Sequence, residues 1–393
     1  MVAESLELVP SRIVTLTIAG TNGKGSSASL AALIYREAGY RVGLYTSPHL
    51  LRYNERVQID GVEASDADLV AAFTAIEAAR GEIGLTYFEF GTLAALWLFR
   101  RAAIPVQVLE VGLGGRLDAV NLVDADCAMV TNIGLDHLDW LGPDRDSIAT
   151  EKAGVFRAGR PAVSVDPDPP RSLAERARAI GAQYRAIGRA FDFEPATNAW
   201  HWWSTTRQLR DLPFPGLDGV AQLRNAAGVL AAVEALSERL PVTEAQLRSA
   251  LPKLRLAGRF QVEGRWIFDV AHNAESAQVL ADNLRALAPP ERMRVVIGLL
   301  SDKPVEQVLG LLAPCASRFE FVSLPPPRGL PASELIERSR HLQVVANAHA
   351  DVDSAVRQCR LDDEPDTYVV FCGSFVTVGL AMQALAPDIS RPA

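Results

Sequence analysis

The sequence contains few cysteines, and they form no recognisable pattern. Its 393 residues include four, which stand far apart and without a Cys-x-x-Cys pair: Cys127, Cys315, Cys359 and Cys372. A disulfide-rich scaffold and a cysteine zinc site are therefore excluded, and free thiols in a reducing compartment are predicted.

An excess of basic residues is also missing. The chain has 39 Lys and Arg against 47 Asp and Glu, which gives a formal net charge of −8 at pH 7. This balance argues against a broad nucleic-acid-binding surface. It is compatible with a small-molecule enzyme that has a local cationic pocket.

No segment has the pattern of a signal peptide or a membrane span. The N-terminus carries Glu4 and Glu7 where a signal peptide needs a basic start and an apolar core. The uncharged stretch 367–387 contains Gly, Ser and Gln, and it divides into a strand pattern and a helix pattern. We therefore expect a cytoplasmic protein, and we expect a monomer because no heptad repeat or exposed apolar stripe stands out.

What the sequence does contain is an alternation of short apolar runs with segments of helical period. The runs at 13–19, 41–46, 105–111 and 128–133 predict buried strands, and segments such as 65–80 predict helices. This alternation predicts the α/β class, with a doubly wound, mostly parallel sheet of the P-loop type in the N-terminal domain.

The alternation is interrupted once and then restarts. Between about 189 and 219, tryptophans stand among Pro, Thr and Asp without helical period, which predicts a β-rich insertion with packed aromatic residues. The segment 251–258 is typical of an interdomain linker. We therefore predict two domains, 1–257 and 258–393, of which the second is a smaller, Rossmann-like α/β domain.

The strongest local signal is a Gly-rich turn between an apolar strand and a helix, Gly20-Thr-Asn-Gly-Lys-Gly-Ser-Ser27. Backbone N–H groups in such a turn bind phosphate oxygens, and Lys24 adds a positive charge. The spacing differs from the standard P-loop, which needs Gly in place of Ile18 and Ser or Thr in place of Gly25. This difference disfavours ordinary kinases and GTPases; the alternative is a Gly-rich turn without a ligand.

Polar residues also follow other predicted strands. Glu110 ends an apolar strand, and Ser47 and His137 follow two more. Since the carboxyl ends of parallel strands share one edge of a sheet, these side chains could hold Mg²⁺ against bound phosphates. The alternatives are a cap or ion pair for Glu110, a turn cap for Ser47 and a structural role for His137.

The second predicted domain repeats this arrangement. Asp269 and His272 follow a strand, where Asp269 is predicted to bind a ribose or another ligand hydroxyl and His272 an adjacent group. Arg259 lies at the linker and is expected to reach the phosphates when the domains close, with an interdomain salt bridge as the alternative. Spacing gives no reason to assign a role to Lys152, which falls late in a predicted helix at 147–156.

Together the motifs resemble those of the Mur ligase superfamily, and specifically its folylpolyglutamate synthase/dihydrofolate synthase family. They occur in family order over nearly the whole chain, and the ordered set is far more specific than any one motif. The motifs are Gly-Thr-Asn-Gly-Lys-Gly-Ser at 20–26, Tyr-Thr-Ser-Pro-His-Leu at 45–50, Leu-Thr-Tyr-Phe-Glu-Phe-Gly-Thr at 85–92, Leu-Glu-Val-Gly-Leu-Gly-Gly-Arg-Leu-Asp-Ala at 109–119, Leu-Asp-His at 135–137, Glu-Lys-Ala-Gly at 151–154, Phe-Asp-Val-Ala-His-Asn at 268–273 and Cys-Gly-Ser-Phe at 372–375.

The resemblance implies ATP-driven amide synthesis. The γ-phosphoryl group of ATP passes to a pterin-linked carboxylate, and the amino group of L-glutamate attacks the resulting acyl phosphate to give an amide, ADP and phosphate. The implied acceptors are dihydropteroate, which becomes dihydrofolate, and reduced folates, which gain further γ-linked glutamates. The phosphorylation makes chemical sense because a carboxylate is a poor electrophile until one oxygen becomes a leaving group.

The resemblance also implies residue roles. Lys152 matches the family lysine that is carbamylated, and it is expected to be catalytic together with Lys24 and His272. The other implied roles are ATP contacts at Asn22, Gly23, Lys24, Gly25, Asn225, Arg259 and Asp269, Mg²⁺ ligands at Ser47, Glu110 and His137, and pterin-side contacts at Thr86, Tyr87, Phe88, Glu89, Leu117, Asp118 and Ala119.

One departure from the family pattern concerns the N-terminus. Family members usually carry a longer segment before the first strand, which here begins near Ile13, so we expect the ATP side of the site to be more complete than the pterin side. The leading hypothesis is a bifunctional ligase, and the nearest alternative is a folylpolyglutamate synthase alone. An alternative from another class is an ATP-binding P-loop regulator without ligase activity.

Overall fold

The chain folds into two compact units, each with its own hydrophobic core. The computed structural model describes residues 1–362 and 364–386. The first unit is Met1–Leu254 and the second begins at Arg255, whereas the sequence places the boundary between residues 257 and 258. Both units are built from strands alternating with helices, which confirms the predicted α/β class.

The first unit is organised around a large, mostly parallel sheet. Its strands, in chain order, are β1 Val14–Ala19, β2 Val42–Tyr45, β3 Val57–Ile59, β4 Val62–Glu63, β5 Val106–Glu110, β6 Cys127–Val130, β7 Pro161–Ser164 and β8 Gln183–Ala186. Within residues 1–254, all of which the structure describes, these eight strands are ordered β4-β3-β2-β5-β1-β6-β7-β8. From β2 to β8 in this sheet order, each strand is parallel to its neighbour. The strands β3 and β4 form an antiparallel hairpin at one edge, and β3 is also antiparallel to β2.

Helices cover both faces of this sheet. They are α1 Val2–Ser5, α2 Lys24–Glu37, α3 Asp66–Arg80, α4 Tyr87–Arg101, α5 Leu138–Leu141, α6 Arg145–Lys152, α7 Arg171–Ile180, α8 Val220–Ala235 and α9 Glu244–Ala250. On β6, Met129 contacts Gly228 of α8, while the next residue, Val130, belongs to the core that α3 and α4 share. Because successive side chains of a strand point to opposite faces, the sheet is doubly wound, as predicted.

A second, smaller sheet follows β8. Its strands are β9 Phe191–Pro195, β10 Trp200–Ser204 and β11 Gln208–Leu212, and they pair antiparallel. Trp200 and Trp202 are buried, and their indole N–H groups donate to the carbonyl oxygens of Pro213 (2.9 Å) and Ala227 (3.0 Å). These aromatic residues therefore pack, as the sequence predicts.

The second unit repeats the parallel α/β plan. Its strands are β12 Gln261–Glu263, β13 Trp266–Phe268, β14 Met293–Ile297, β15 Arg318–Val322, β16 Ala346–His349 and β17 Tyr368–Cys372, and its helices are α10 Ala274–Leu287, α11 Val305–Leu312, α12 Ala332–Ser339, α13 Val352–Leu361 and α14 Phe375–Leu385. Among its described residues, six strands are ordered β12-β13-β17-β14-β15-β16, with only β12 antiparallel to its neighbour.

The uncharged stretch 367–387 contains β17 and α14, and its last residue, 387, lies outside the described residues. Within 1–362 and 364–386, no helix has the length and apolarity that crossing a membrane requires.

Some local predictions need correction. The helix expected at 147–156 is α6, which ends at Lys152 and is followed by a 3₁₀ turn over Ala153–Val155. The β3–β4 hairpin is not predicted from the sequence, because its strands are only three and two residues long.

The order of the first sheet determines where a ligand can bind. From β1 the chain moves to β2 and β5 on one side and later to β6 on the other. Loops at the carboxyl ends of such strands diverge at this switch in direction, which leaves a crevice where ligands bind in open α/β sheets. The loop after β1 therefore lies at the centre of the candidate site.

We expect the core around β1 to control the stability of the first unit. Leu16 is fully buried in this central strand, so Leu16→Ala should reduce the free energy of unfolding by about 2–5 kcal/mol. Val70→Ala on α3, where the side chain is 62% exposed, should change it by no more than about 0.5 kcal/mol. Urea unfolding measures the free energy of unfolding of both variants. Equal decreases in the two variants would contradict the burial of Leu16 and the exposure of Val70.

Candidate active site

Two glycines of the loop between β1 and α2 have no room for a side chain. Gly20 and Gly23 both have positive φ angles, +147° and +79°. A Cβ on Gly20 would lie 1.7 Å from Thr131 Oγ1, and one on Gly23 would lie 2.4 Å from Asn225 Nδ2. The predicted phosphate loop is therefore in contact with the segment after β6 and with Asn225 of α8.

Hydrogen bonds from the segment after β6 hold the phosphate loop in place. The Asn22 N–H donates to Asn132 Oδ1 (2.7 Å), and the Thr131 hydroxyl donates to the Asn22 carbonyl (2.6 Å). The Gly134 N–H donates to Thr21 Oγ1 (2.9 Å). Sequence reasoning missed Thr131 and Asn132, although polar residues directly after a buried parallel strand are a usable signal.

Lys24 and Ser26 occupy the first turn of α2. Lys24 Nζ donates to the carbonyl oxygens of Gly20 (3.1 Å) and Thr21 (3.0 Å), so its ammonium group lies over the loop. Ser26 Oγ is buried, and no residue in the described part of the chain gives it a hydrogen bond. A buried hydroxyl normally has a partner, so its position fits an oxygen-rich ligand bound at this helix N-terminus. No separate role is predicted for Ser26 from the sequence.

The structure brings Ser47 and Glu110 together beside this turn. The Ser47 N–H donates to Glu110 Oε2 (2.9 Å), and the carboxylate is buried. A Cβ on Gly25 would lie 3.6 Å from the same oxygen, which places the carboxylate against the phosphate loop. Carboxylate and hydroxyl oxygens are the ligands that Mg²⁺ and Mn²⁺ prefer.

His137 lies in the segment between β6 and α5, and β6 is two strands away from β5, which carries Glu110. His137 is the N-cap residue of α5 and has a φ angle of +53°. Its Nε2 is 3.9 Å from Asp136 Oδ1. Over the described residues, no three His, Cys, Asp or Glu side chains form a metal-binding group. The predicted ligand set contains only two such side chains, Glu110 and His137, in addition to the Ser47 hydroxyl.

Lys152 is a buried lysine, with 3% of its surface exposed. A Cβ on Gly115 would lie 3.2 Å from Lys152 Cα, so the end of α6 packs tightly on the Gly-rich loop after β5. Arg116 of this loop pairs with Glu151 at 2.9 Å. Lysine is rarely buried to this degree. The burial of Lys152 against the Gly115 loop could not be predicted from the spacing of residues in the sequence.

Asp118 shapes the same loop. Its carboxylate accepts the N–H groups of Leu113 (2.9 Å) and Val120 (3.0 Å). Burial raises the pKa of Asp118, and these N–H donors and the charge of Lys24 oppose that rise. Leu117 is 79% exposed, and Ala119 begins a short 3₁₀ turn.

Thr86 and Glu89 cap α4. The Glu89 N–H donates to Thr86 Oγ1 (3.3 Å), and the Thr86 N–H donates to Glu89 Oε2 (2.7 Å). These hydrogen bonds lower the pKa of Glu89. A capping box accounts for both residue types without a ligand, so their predicted pterin-side role gains no separate support from geometry.

Tyr87 and Phe88, which lie between Thr86 and Glu89 in the sequence, contact other parts of the site. A Cβ on Gly112 would lie 2.5 Å from the Phe88 ring, which therefore packs on the loop after β5. Tyr87 is 64% exposed, and its ring centroid is 5.8 Å from that of Tyr53. The structure thus brings together the two predicted pterin-side segments, 86–89 and 117–119.

In the second unit, the predicted residues surround the loop after β13. Asp269 accepts the N–H groups of Phe260 (2.9 Å) and Ala271 (2.8 Å), one on each carboxylate oxygen. Burial raises the pKa of Asp269, and Arg259 is the main opposing influence. The Arg259 guanidinium lies 5.6 Å from the Phe375 ring centroid, and His272 Nδ1 is 2.7 Å from the Val270 carbonyl oxygen.

Comparison with known proteins agrees with this architecture. The Mur ligase middle domain family matches residues 18–189, and the Mur ligase, glutamate ligase domain family matches residues 258–375. The dihydrofolate synthase/folylpolyglutamate synthase of Escherichia coli K12 is 41% identical over 388 residues, which cover 98% of this chain and 90% of that protein.

Solved structures give the same result. E. coli FolC in complex with DHPP and ADP is similar with a TM-score of 0.93 and 41% identity, over 98% of this chain and 92% of that chain. A bifunctional folylpolyglutamate synthase/dihydrofolate synthase with Mn, AMPPNP and L-glutamate bound has a TM-score of 0.90 and 45% identity, with coverages of 98% and 92%. The chain therefore belongs to the Mur ligase superfamily and, within it, to the dihydrofolate synthase/folylpolyglutamate synthase family.

Proposed function

We propose that the protein is an ATP-dependent ligase that joins L-glutamate to dihydropteroate and then adds γ-linked glutamates to reduced folates. The observation that carries the proposal is the junction of strand ends at which Ser47 and Glu110 meet the phosphate loop. Family membership supports the reaction class. The related structures contain ADP or AMPPNP, and one contains L-glutamate.

The first step is phosphorylation of the acceptor carboxylate. A carboxylate oxygen forms a bond to the γ-phosphorus of ATP while the bond to the β-phosphate oxygen breaks, which gives an acyl phosphate and ADP. We propose that the backbone at Asn22, Gly23 and Gly25 binds the phosphates, that Ser26 donates to one phosphate oxygen, and that Lys24 exchanges its loop carbonyl partners for phosphate. Asn225, beside Gly23, is proposed as a further nucleotide contact.

A divalent cation fits this phosphate site. Ser47 and Glu110 supply oxygen ligands, and His137 is proposed as the third ligand. When bound, Mg²⁺ supplies positive charge that offsets the negative charge of the phosphates. The protein's contribution is to fix the Glu110 carboxylate through the Ser47 N–H, so that the carboxylate does not have to reorient during the reaction.

The second step forms the amide bond. The amino nitrogen of glutamate attacks the acyl carbon, phosphate leaves, and the nitrogen loses a proton. We propose that the segments 86–89 and 117–119 bind the pterin side of the acceptor. For the second unit we propose nucleotide contacts at Arg259 and Asp269 and a catalytic contact at His272.

Location and oligomeric state are part of the same proposal. A reducing, cytoplasmic location is supported by the cysteines, all four of which are buried and outside disulfides. Burial raises the pKa of Cys127 to about 12, so this thiol stays protonated and unreactive at neutral pH. We propose a monomer that acts on small molecules and not on nucleic acid, in keeping with the net charge of −8.

The direct test is phosphate release from ATP and Mg²⁺ in the presence of glutamate. Three reactions are compared: no acceptor, dihydropteroate, and tetrahydrofolate, with products identified by mass spectrometry. We expect glutamate-dependent turnover with both acceptors. Turnover with tetrahydrofolate but not with dihydropteroate would limit the function to folylpolyglutamate synthesis. Phosphate release that does not depend on any acceptor would contradict the ligase proposal.

Removing the Glu110 charge should weaken the metal site. Glu110→Gln keeps the side-chain shape but removes the anionic oxygen, so we expect ligation to fall roughly 100-fold or more at fixed Mg²⁺. Glu63→Gln, at an exposed position of β4, is the matched control and should retain wild-type rates. Rates are measured over a range of Mg²⁺ concentrations; an unchanged Mg²⁺ requirement in Glu110→Gln would exclude Glu110 as a ligand.

Carbamylation of Lys152 makes a separate prediction. Intact-protein and peptide mass spectrometry under native, bicarbonate-containing conditions should detect one added CO₂ group at Lys152. Lys152→Ala should lose most activity and recover part of it with a short-chain carboxylic acid, which replaces the carbamate oxygens. Lys253→Ala, which alters a half-exposed lysine, should show neither effect. Failure of rescue together with an unmodified lysine would exclude the carbamate.

A further inference from the structure

The segment between β2 and β3 carries Ser47 and is unusually well anchored. We call residues 46–56 the Ser47 loop. At its start, the Thr46 N–H donates to the Arg56 carbonyl (2.9 Å), and the next N–H, that of Ser47, donates to Glu110 (2.9 Å). The two ends of the loop are therefore joined by a main-chain hydrogen bond directly beside the proposed metal ligand.

The middle of the Ser47 loop is organised by one carboxylate. Glu55 accepts three consecutive backbone N–H groups, those of Leu50 (2.6 Å), Leu51 (2.8 Å) and Arg52 (2.7 Å). Hydrogen bonds to an ionised acceptor are stronger than neutral ones. The buried amide of Asn54 also donates to the Ala64 carbonyl (2.8 Å), which ties the loop to the entry of α3. The loop backbone is thus held at several points.

Arg56 links this loop to the proposed acceptor segment. Its side chain is largely buried, and its Nε donates to His49 Nδ1 (2.8 Å). Its guanidinium carbon lies 5.4 Å from the ring centroids of both Tyr53 and Tyr87, within the range of cation–π attraction. His49 is two residues after Ser47, and Tyr87 is the first residue of α4. One guanidinium group therefore contacts both segments.

The ring nitrogen of His49 that faces Arg56 is the hydrogen-bond acceptor. A neutral imidazole has one ring nitrogen able to accept, and Arg56 Nε has no other role than donor. The direction of this hydrogen bond is therefore determined by the two residue types.

We infer that Arg56 is a positioning residue that fixes the Ser47 loop relative to Tyr87, so that the metal ligand and the acceptor segment are held by a common side chain. This inference rests on the proposed function, in which Ser47 binds Mg²⁺ and the segment 86–89 binds the acceptor. Arg56 itself contacts neither ligand in this account. Its loss should weaken metal binding and acceptor binding together, which a residue needed only for stability would not do.

The test compares two Arg→Lys variants of the same loop. Arg56→Lys keeps the positive charge but removes the Nε donor and the planar group between the tyrosines. Arg52→Lys is the matched control, because Arg52 has a 61% exposed side chain and pairs with Asp66 only at the surface. Mn²⁺ affinity is measured by electron paramagnetic resonance with a non-hydrolysable ATP analogue, and the KM for tetrahydrofolate is measured at saturating Mg²⁺.

We expect Arg56→Lys to weaken Mn²⁺ binding by roughly 10-fold, in the range that follows loss of residues supporting a metal ligand. The KM for tetrahydrofolate should rise as well, while affinity for the nucleotide without metal stays at the wild-type value. Arg52→Lys should match wild type in every measurement. His49→Phe, which replaces the imidazole by a ring without an acceptor nitrogen and leaves Arg56 in place, should reproduce the Mn²⁺ effect with a smaller change in KM.

The possible failures are distinguishable. If wild type shows no glutamate-dependent ligation, the proposed function fails. If wild type ligates and Ser47→Ala weakens Mn²⁺ binding, while Arg56→Lys and His49→Phe both behave like Arg52→Lys, the positioning role is overturned. A lower unfolding midpoint in Arg56→Lys with unchanged Mn²⁺ affinity and KM also overturns it. If Arg56→Lys does not fold, the Mn²⁺ affinity of His49→Phe tests the positioning role, and an unchanged affinity overturns it.

Discussion

The hydrogen bond from the Ser47 N–H to the Glu110 carboxylate is the contact on which the first unit's site depends. It joins the ends of β2 and β5, and the carboxylate also lies against Gly25 at the start of α2. Three segments distant in sequence therefore converge on one buried oxygen pair. A buried carboxylate is costly unless it is hydrogen-bonded or paired with a cation, so this arrangement both orders the loops and favours a positive ligand.

Much of the fold follows from the sequence, and two features that it does not predict, β8 and the β3–β4 hairpin, have a common cause. The strand–turn–helix at β1 and α2 combines a fully buried run with a Gly-rich turn, so both periodicity and turn chemistry indicate it. By contrast, only one of the four residues of β8 is buried, and the strands of the β3–β4 hairpin are two or three residues long. Edge strands of this kind bury too few apolar residues to produce a periodic signal.

The site was only partly predictable for a related reason. That Glu110 and Ser47 lie at the same edge of the sheet could be predicted, because a strand end determines where a side chain emerges. Asn225 and Lys152 come from helices, and their approach to the phosphate loop and to Gly115 depends on how those helices pack, which the spacing of residues does not encode. Thr86 and Glu89 show the opposite case, because the Thr-x-x-Glu pattern before an apolar run already indicates a helix cap.

The close packing around Gly20 and Gly23 limits how this loop can change during evolution or engineering. Each glycine has its missing side chain replaced by a polar group from elsewhere, Thr131 in one case and Asn225 in the other. A substitution at either glycine requires a simultaneous change in its partner and a different backbone angle. Randomised libraries that include either glycine would therefore sample mostly misfolded sites, whereas libraries that keep both glycines preserve the backbone of the loop.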